Sequence, residues 1–140
     1  LRQVVNLGKR YGVKVLIENV GLRTKNNVLF DLPEYIALFD IFPQAGALLD
    51  TGHAHVNGWD IPAVVKALGE RLAACHVHDN DGSGDAHLPV GQGDIDWKAY
   101  FGAVKKYAPQ ATQVFEYCCG FNNTKDLEAH IAELKAKYKL

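Results

Sequence analysis

The chain has no methionine, and only three cysteines among its 140 residues. Without a methionine even at position 1, it is expected to begin inside a longer protein. Cys75, Cys118 and Cys119 are odd in number, two of them adjacent, and none sits in a CxxC pair. That argues against a disulfide framework or a zinc finger. It favours free thiols in a reducing compartment, the cytoplasm. No apolar run approaches the ~18 residues of a membrane span, and no signal peptide is visible. There is no basic block, and the formal net charge is −1. Nucleic-acid affinity rests largely on phosphate neutralisation, so this balance argues against a nucleic-acid partner. What remains is a chain with 48% hydrophobic residues, enough for one soluble domain with a core.

Hydrophobic periodicity alternates between two kinds of segment. Residues 1–11 place Val4, Val5, Leu7 and Tyr11 on one helical stripe, closed by Gly12. Residues 13–18 form a short β-branched run, apolar on both sides, which predicts a strand covered on both faces. A polar loop, 19–30, follows. Asp31 caps a helix, with Pro33 and Glu34 in its first turn, and Pro43 stops it. Residues 46–50 are a second strand and 51–59 a loop. Asp60 caps the next helix, which Gly69 ends. Residues 72–78 are a third strand and 79–94 a glycine-rich loop. Asp96 starts a helix with Trp97, Tyr100, Phe101, Val104 and Tyr107 inward. Residues 112–116 are a fourth strand. Thr124 caps a last helix, with Leu127, Ile131, Leu134 and Tyr138 at helical spacing.

Strands alternating with helices predict right-handed crossovers and a parallel sheet, an α/β fold. In such a sheet every strand ends on the same rim. Here four runs end on Glu18, Asp50, His76 and Glu116, spaced 32, 26 and 40 residues apart, roughly one strand–helix unit each. Neighbouring strand ends lie roughly 5 Å apart, so the four side chains can converge. Gathered carboxylates repel one another unless a cation joins them. We therefore expect Glu18, Asp50, His76 and Glu116 to hold one divalent metal. Mixed oxygen and nitrogen donors suit Mn²⁺, Zn²⁺, Co²⁺ or Mg²⁺ alike. His53, Asp85 and His87 form a second set, for substrate or a further metal. His55 and His78 alternate with stronger donors and are read as structural, or as outer partners of those donors. Gly91-Gln92-Gly93 before a helix could cradle an anion, but a lone GxG is a weak signal and is read first as a plain turn. Arg23, Lys25 and Lys98 are read as solvated charges, and Trp59 and Trp97 as packing, although Trp59 could also wall a sugar site.

Five stretches together resemble the xylose-isomerase-like TIM-barrel superfamily of sugar phosphate isomerases, epimerases and AP endonucleases (family 2). They are Leu16-Ile17-Glu18-Asn19, Leu49-Asp50-Thr51-Gly52-His53, His76-Val77-His78-Asp79-Asn80, the run from Asp85 to Trp97, and Phe115-Glu116. The resemblance covers essentially the whole chain, yet an eight-stranded barrel takes roughly 250 residues. It therefore implies a partial (β/α)8 TIM barrel: four parallel βα units corresponding to strands five to eight, the C-terminal half. It implies that Glu18, Asp50, His76 and Glu116 hold a catalytic divalent metal. Residues matching Glu18 and Glu116 pass a proton to and from a sugar carbon through an enediolate. Residues matching His53 and Asp79 touch substrate. In the endonuclease branch, residues matching His53, Asp85 and His87 bind a further zinc. The expected function is a metal-dependent isomerase or epimerase of a small sugar or sugar phosphate. The alternatives are an AP-endonuclease-like zinc phosphodiesterase, or a domain of this fold that binds metal or sugar without turnover. Half a barrel has open edges, which predicts a homo-oligomer or association through those edges.

Overall fold

A computed structural model describes residues 1–140. Its four strands form one parallel sheet in the order β1 (Leu16–Glu18), β2 (Gly46–Asp50), β3 (Leu72–Val77) and β4 (Thr112–Phe115). Helix α1 (Arg2–Arg10) precedes β1, and α2 (Leu32–Ile41) joins β1 to β2. Two helices, α3 (Thr51–Val56) and α4 (Ile61–Leu68), lie between β2 and β3. Helix α5 (Trp97–Tyr107) joins β3 to β4, and α6 (Thr124–Tyr138) follows. Sequential strands with helical crossovers and no reversal of order are the pattern of a barrel wall.

The strand register decides which face carries chemistry. Ile17 pairs with Ala47, Leu49 with Cys75, and Val77 with Phe115. These side chains point to one face. Five of them are buried and Phe115 packs against the core, beneath Tyr35, Phe39, Val64, Val65, Leu68, Tyr100 and Phe101. The alternate positions share the other face: Glu18 with Leu48, Asp50 with His76, and His76 with Val114. No helix covers that side, and Val114 is 43% exposed there. The expectation of a first strand covered on both faces is therefore corrected. Its β-branched composition reflects helix packing on one side, and pairing begins only at Leu16.

Other differences are local. The segment after β2 is not a loop but the short helix α3, capped by the Asp50 side chain, which accepts the His53 N–H at 2.7 Å. The cap of α6 is Asn123, one residue earlier than expected; its side chain accepts the Asp126 N–H at 3.1 Å. On α1 only Val5 is buried, while Val4, Leu7 and Tyr11 stand exposed. Helix α1 lies at the β1 edge, where the sheet has no further strand for that stripe to rest on. The capping box at Asp31 and Glu34 and the cap at Asp60 form as the sequence indicates. No disulfide forms, with Cys75 buried and Cys118 and Cys119 exposed. No helix is long and apolar enough to cross a membrane.

Candidate metal centre

Each strand end is tied to its neighbour before any side chain reaches outward. Asn19, just after β1, donates from Nδ2 to the Asp50 carbonyl at 3.0 Å and accepts the Asp50 N–H at 2.7 Å. This reciprocal pair sets Glu18 beside Asp50. Thr51 Oγ1 sits within 3.1 Å of the carbonyl oxygens of His76 and His78, fastening the end of β2 to that of β3. The Glu116 N–H donates to the Val77 carbonyl at 3.1 Å and fixes β4. Asn19 and Thr51 stand within the motif stretches, but the sequence assigns neither a role. Each acts through backbone groups of another strand, which local patterning does not reveal.

The strand-end residues meet around one imidazole. His76 Nδ1 lies 3.3 Å from Glu116 Oε2, 3.4 Å from Glu18 Oε1 and 3.8 Å from Asp50 Oδ2. Asp50 is 1% exposed, whereas the side chains of Glu18 and Glu116 are 29% and 46% exposed. Burial pushes the Asp50 carboxyl upward. Hydrogen bonds from His78 and the His53 N–H, with the charge of both rings, outweigh that and hold it below the ordinary carboxylate range.

The second set also assembles. Asp85 Oδ2 lies 3.3 Å from His53 Nε2 and 3.2 Å from His87 Nε2. His87 Nδ1 faces the Glu116 carbonyl at 3.2 Å, and the His87 carbonyl accepts the Cys118 N–H at 3.1 Å. His53 bridges the sets, since its Nδ1 lies 3.6 Å from Asp50 Oδ1. Three buried atoms here have no hydrogen-bond partner: His53 Nδ1, His78 Nδ1 and Asp85 Oδ1. Buried polar atoms are normally partnered. Orphaned donors beside clustered carboxylates fit a hard or borderline dication. Three overlapping donor groups, Glu18–Asp50–His76, His78–Asp85–His87 and Asp50–His78–Glu116, are each spaced closely enough to hold an ion.

Asp79 does not join either set, and its reading as a substrate contact is corrected. It is fully buried. Its Oδ1 accepts the N–H groups of Asn80 at 3.0 Å and Ile95 at 3.3 Å; its Oδ2 accepts the Gly91 N–H at 2.8 Å and Trp97 Nε1 at 2.7 Å. The Gly91-Gln92-Gly93 turn thus closes around the protein's own carboxylate. A Cβ on Gly93 would meet the Asn80 carbonyl oxygen at 2.3 Å, so that position requires glycine. His55 is structural as expected, with Nδ1 2.7 Å from Asn80 Oδ1. Trp59 packs on Tyr35 at 5.8 Å, and Arg23 pairs with Asp31 at 2.6 Å on the surface.

The sequence profile of a family described as "Xylose isomerase-like TIM barrel" matches residues 1–137. Uncharacterized protein MJ1614 of Methanocaldococcus jannaschii is 30% identical over 109 residues, covering 76% of this chain and 40% of that protein. The crystal structure of a D-tagatose 3-epimerase-like protein superposes with a TM-score of 0.76 at 23% identity, over 98% of this chain and 51% of that one. D-allulose 3-epimerase from Methylomonas sp., in complex with D-allulose, superposes with a TM-score of 0.69 at 20% identity, over 94% and 44%. The chain therefore spans about half the length, or less, of these proteins.

Proposed function

The chain belongs to the xylose isomerase-like TIM barrel family, and from that premise we propose that it supplies the metal-binding half of a metal-dependent isomerase or epimerase acting on a small sugar or sugar phosphate. The observation that carries this reading is the convergence of Glu18, Asp50 and Glu116 on His76 Nδ1, all within 3.8 Å. Epimerases and sugar-bound structures among its neighbours support the substrate class.

The roles follow from exposure and partners. A dication held by Glu18, Asp50, His76 and Glu116 would polarise a substrate carbonyl. Asp50 has both oxygens engaged, by the His53 N–H and by His78, so it holds position and moves no proton. Glu18 and Glu116 rise from the two outer strands on either side of His76, each with exposed carboxylate surface. We assign to them the removal of a proton from a carbon next to a carbonyl and the return of one from the other side. His53 and Asp85 stand at the edge of this group, where a substrate hydroxyl would lie.

The test is hydrogen exchange at carbon. Ketoses and ketose phosphates incubated with the protein in D₂O should take up deuterium next to the carbonyl, and chelation should stop it. Glu116→Gln should lower the rate about 100-fold or more, the usual contribution of a positioned acid or base. Metal binding with no exchange in any sugar would leave a binding domain. A second reading, an AP-endonuclease-like phosphodiesterase, is favoured by the His53–Asp85–His87 group and its orphaned Asp85 Oδ1. Nicking of an abasic duplex would carry it; sugar exchange with the duplex left intact would remove it.

A further inference from the structure

His78 is neither a strand-end donor nor exposed to any substrate, yet it touches both sets. It is fully buried on β3's continuation. Its Nε2 lies 3.1 Å from Asp50 Oδ2. Its ring stacks on that of His87, centroids 3.8 Å apart and planes 11° from parallel. Its backbone is locked as well: the His78 N–H donates to Thr51 Oγ1 at 3.3 Å, and that hydroxyl lies 3.0 Å from the His78 carbonyl. The ring occupies space that only glycine leaves free, since a Cβ on Gly52 would stand 2.0 Å from His78 Cε1.

Both ends of this ring govern a neighbour. Asp50 Oδ1 is held by the His53 N–H at 2.7 Å, which leaves the carboxylate free to rotate about one bond. The contact at Oδ2 removes that rotation. His87 sits on a backbone with φ +47°, sparsely populated for a side-chain-bearing residue. Its two nitrogens are met by Asp85 Oδ2 and the Glu116 carbonyl, each at 3.2 Å. Those contacts hold the ring by its nitrogens, and the stacked face of His78 bounds its tilt. A direct ligand role for His78 beside His87 is disfavoured by the same stack: parallel rings direct their lone pairs alongside one another, away from a common ion.

We propose that His78 is a positioning residue for both sets at once: its Nε2–H fixes the Asp50 carboxylate, and its ring face fixes the tilt of the His87 imidazole. The consequence for metal affinity rests on the metal reading above; the consequence for ring geometry does not. Outer partners of metal ligands change affinity by about 10–100-fold when lost.

Two substitutions separate the functions. His78→Phe keeps a ring and removes the donor; His78→Gln keeps a donor and removes the ring. Imidazole ¹H–¹⁵N correlation spectra of the metal-free protein, with Mn²⁺ titrations of all three forms, read both. In the wild type, His78 should carry a proton on Nε2 that exchanges slowly with solvent. His78→Phe should leave the His87 ring-proton shifts near wild type and weaken Mn²⁺ binding about tenfold. His78→Gln should move the His87 shifts toward those of a free imidazole and weaken Mn²⁺ by less than that. A wild-type His78 protonated on Nδ1 alone overturns the proposal, even if neither variant folds. So do identical His87 shifts in the two variants. A wild type that binds no Mn²⁺ sinks the metal reading, while the spectra still decide this one.

Discussion

Asp79 shows how a carboxylate can be mistaken for a chemical group when it is an architectural one. Four N–H donors surround it at 2.7–3.3 Å, and no solvent reaches it. Asp79→Asn puts an amide NH₂ against donors that have no other acceptor. A buried donor left unpaired costs about 1–3 kcal/mol, so the variant should lose about 2 kcal/mol or more of stability in a urea titration. Stability within about 0.5 kcal/mol of wild type would mean the loop does not rest on this residue. The sequence marks His76, His78, Asp79 and Asn80 as one dense run. It does not say which of two alternating imidazoles, or which carboxylate, turns toward the open face. Residues two apart on a strand share a face, so what separates the imidazoles is the end of β3 at Val77, which leaves His78 outside the strand. The return of residues 88–97 over Asp79 settles the carboxylate, and that return is a long-range event.

At the scale of elements, strand ends were legible because short apolar runs stop at a carboxylate or imidazole. Helix caps were legible where one polar residue precedes a periodic run, as at Asp31, Asp60 and Asp96. They were ambiguous at Asn122-Asn123-Thr124, where three successive residues can cap. The structure assigns Asn123, so Asn123→Ala should cost about 1 kcal/mol and Thr124→Ala only a few tenths, compared by urea denaturation. Equal costs would return the cap to Thr124. Helix α3 was missed because six residues are too few to show a helical period. That miss bears on function, since α3 lifts His53 one turn beyond Asp50 and lets it reach both donor sets.

The whole molecule is a layer of helices over one face of a four-stranded parallel sheet, with the donor groups gathered along the other. Strands β1 and β4 each keep one unpaired edge, and α1 presents Val4, Leu7 and Tyr11 to solvent. Those features follow from half a barrel wall: strand spacing in the sequence indicated a parallel sheet, and the motifs' resemblance to the barrel family implied the half barrel. The two most exposed carboxylates of the cluster belong to those same edges, Glu18 at the end of β1 and Glu116 just beyond β4. The account's central claim is that Glu18, Asp50, His76 and Glu116 share one dication. Calorimetric titration of Mn²⁺ into the chelator-treated protein tests it most directly. The account predicts a site that takes one ion per chain and weakens at least about tenfold in His76→Ala and in Glu18→Gln alike. Mn²⁺ affinity unchanged by either substitution, or no binding by the wild type, would contradict it.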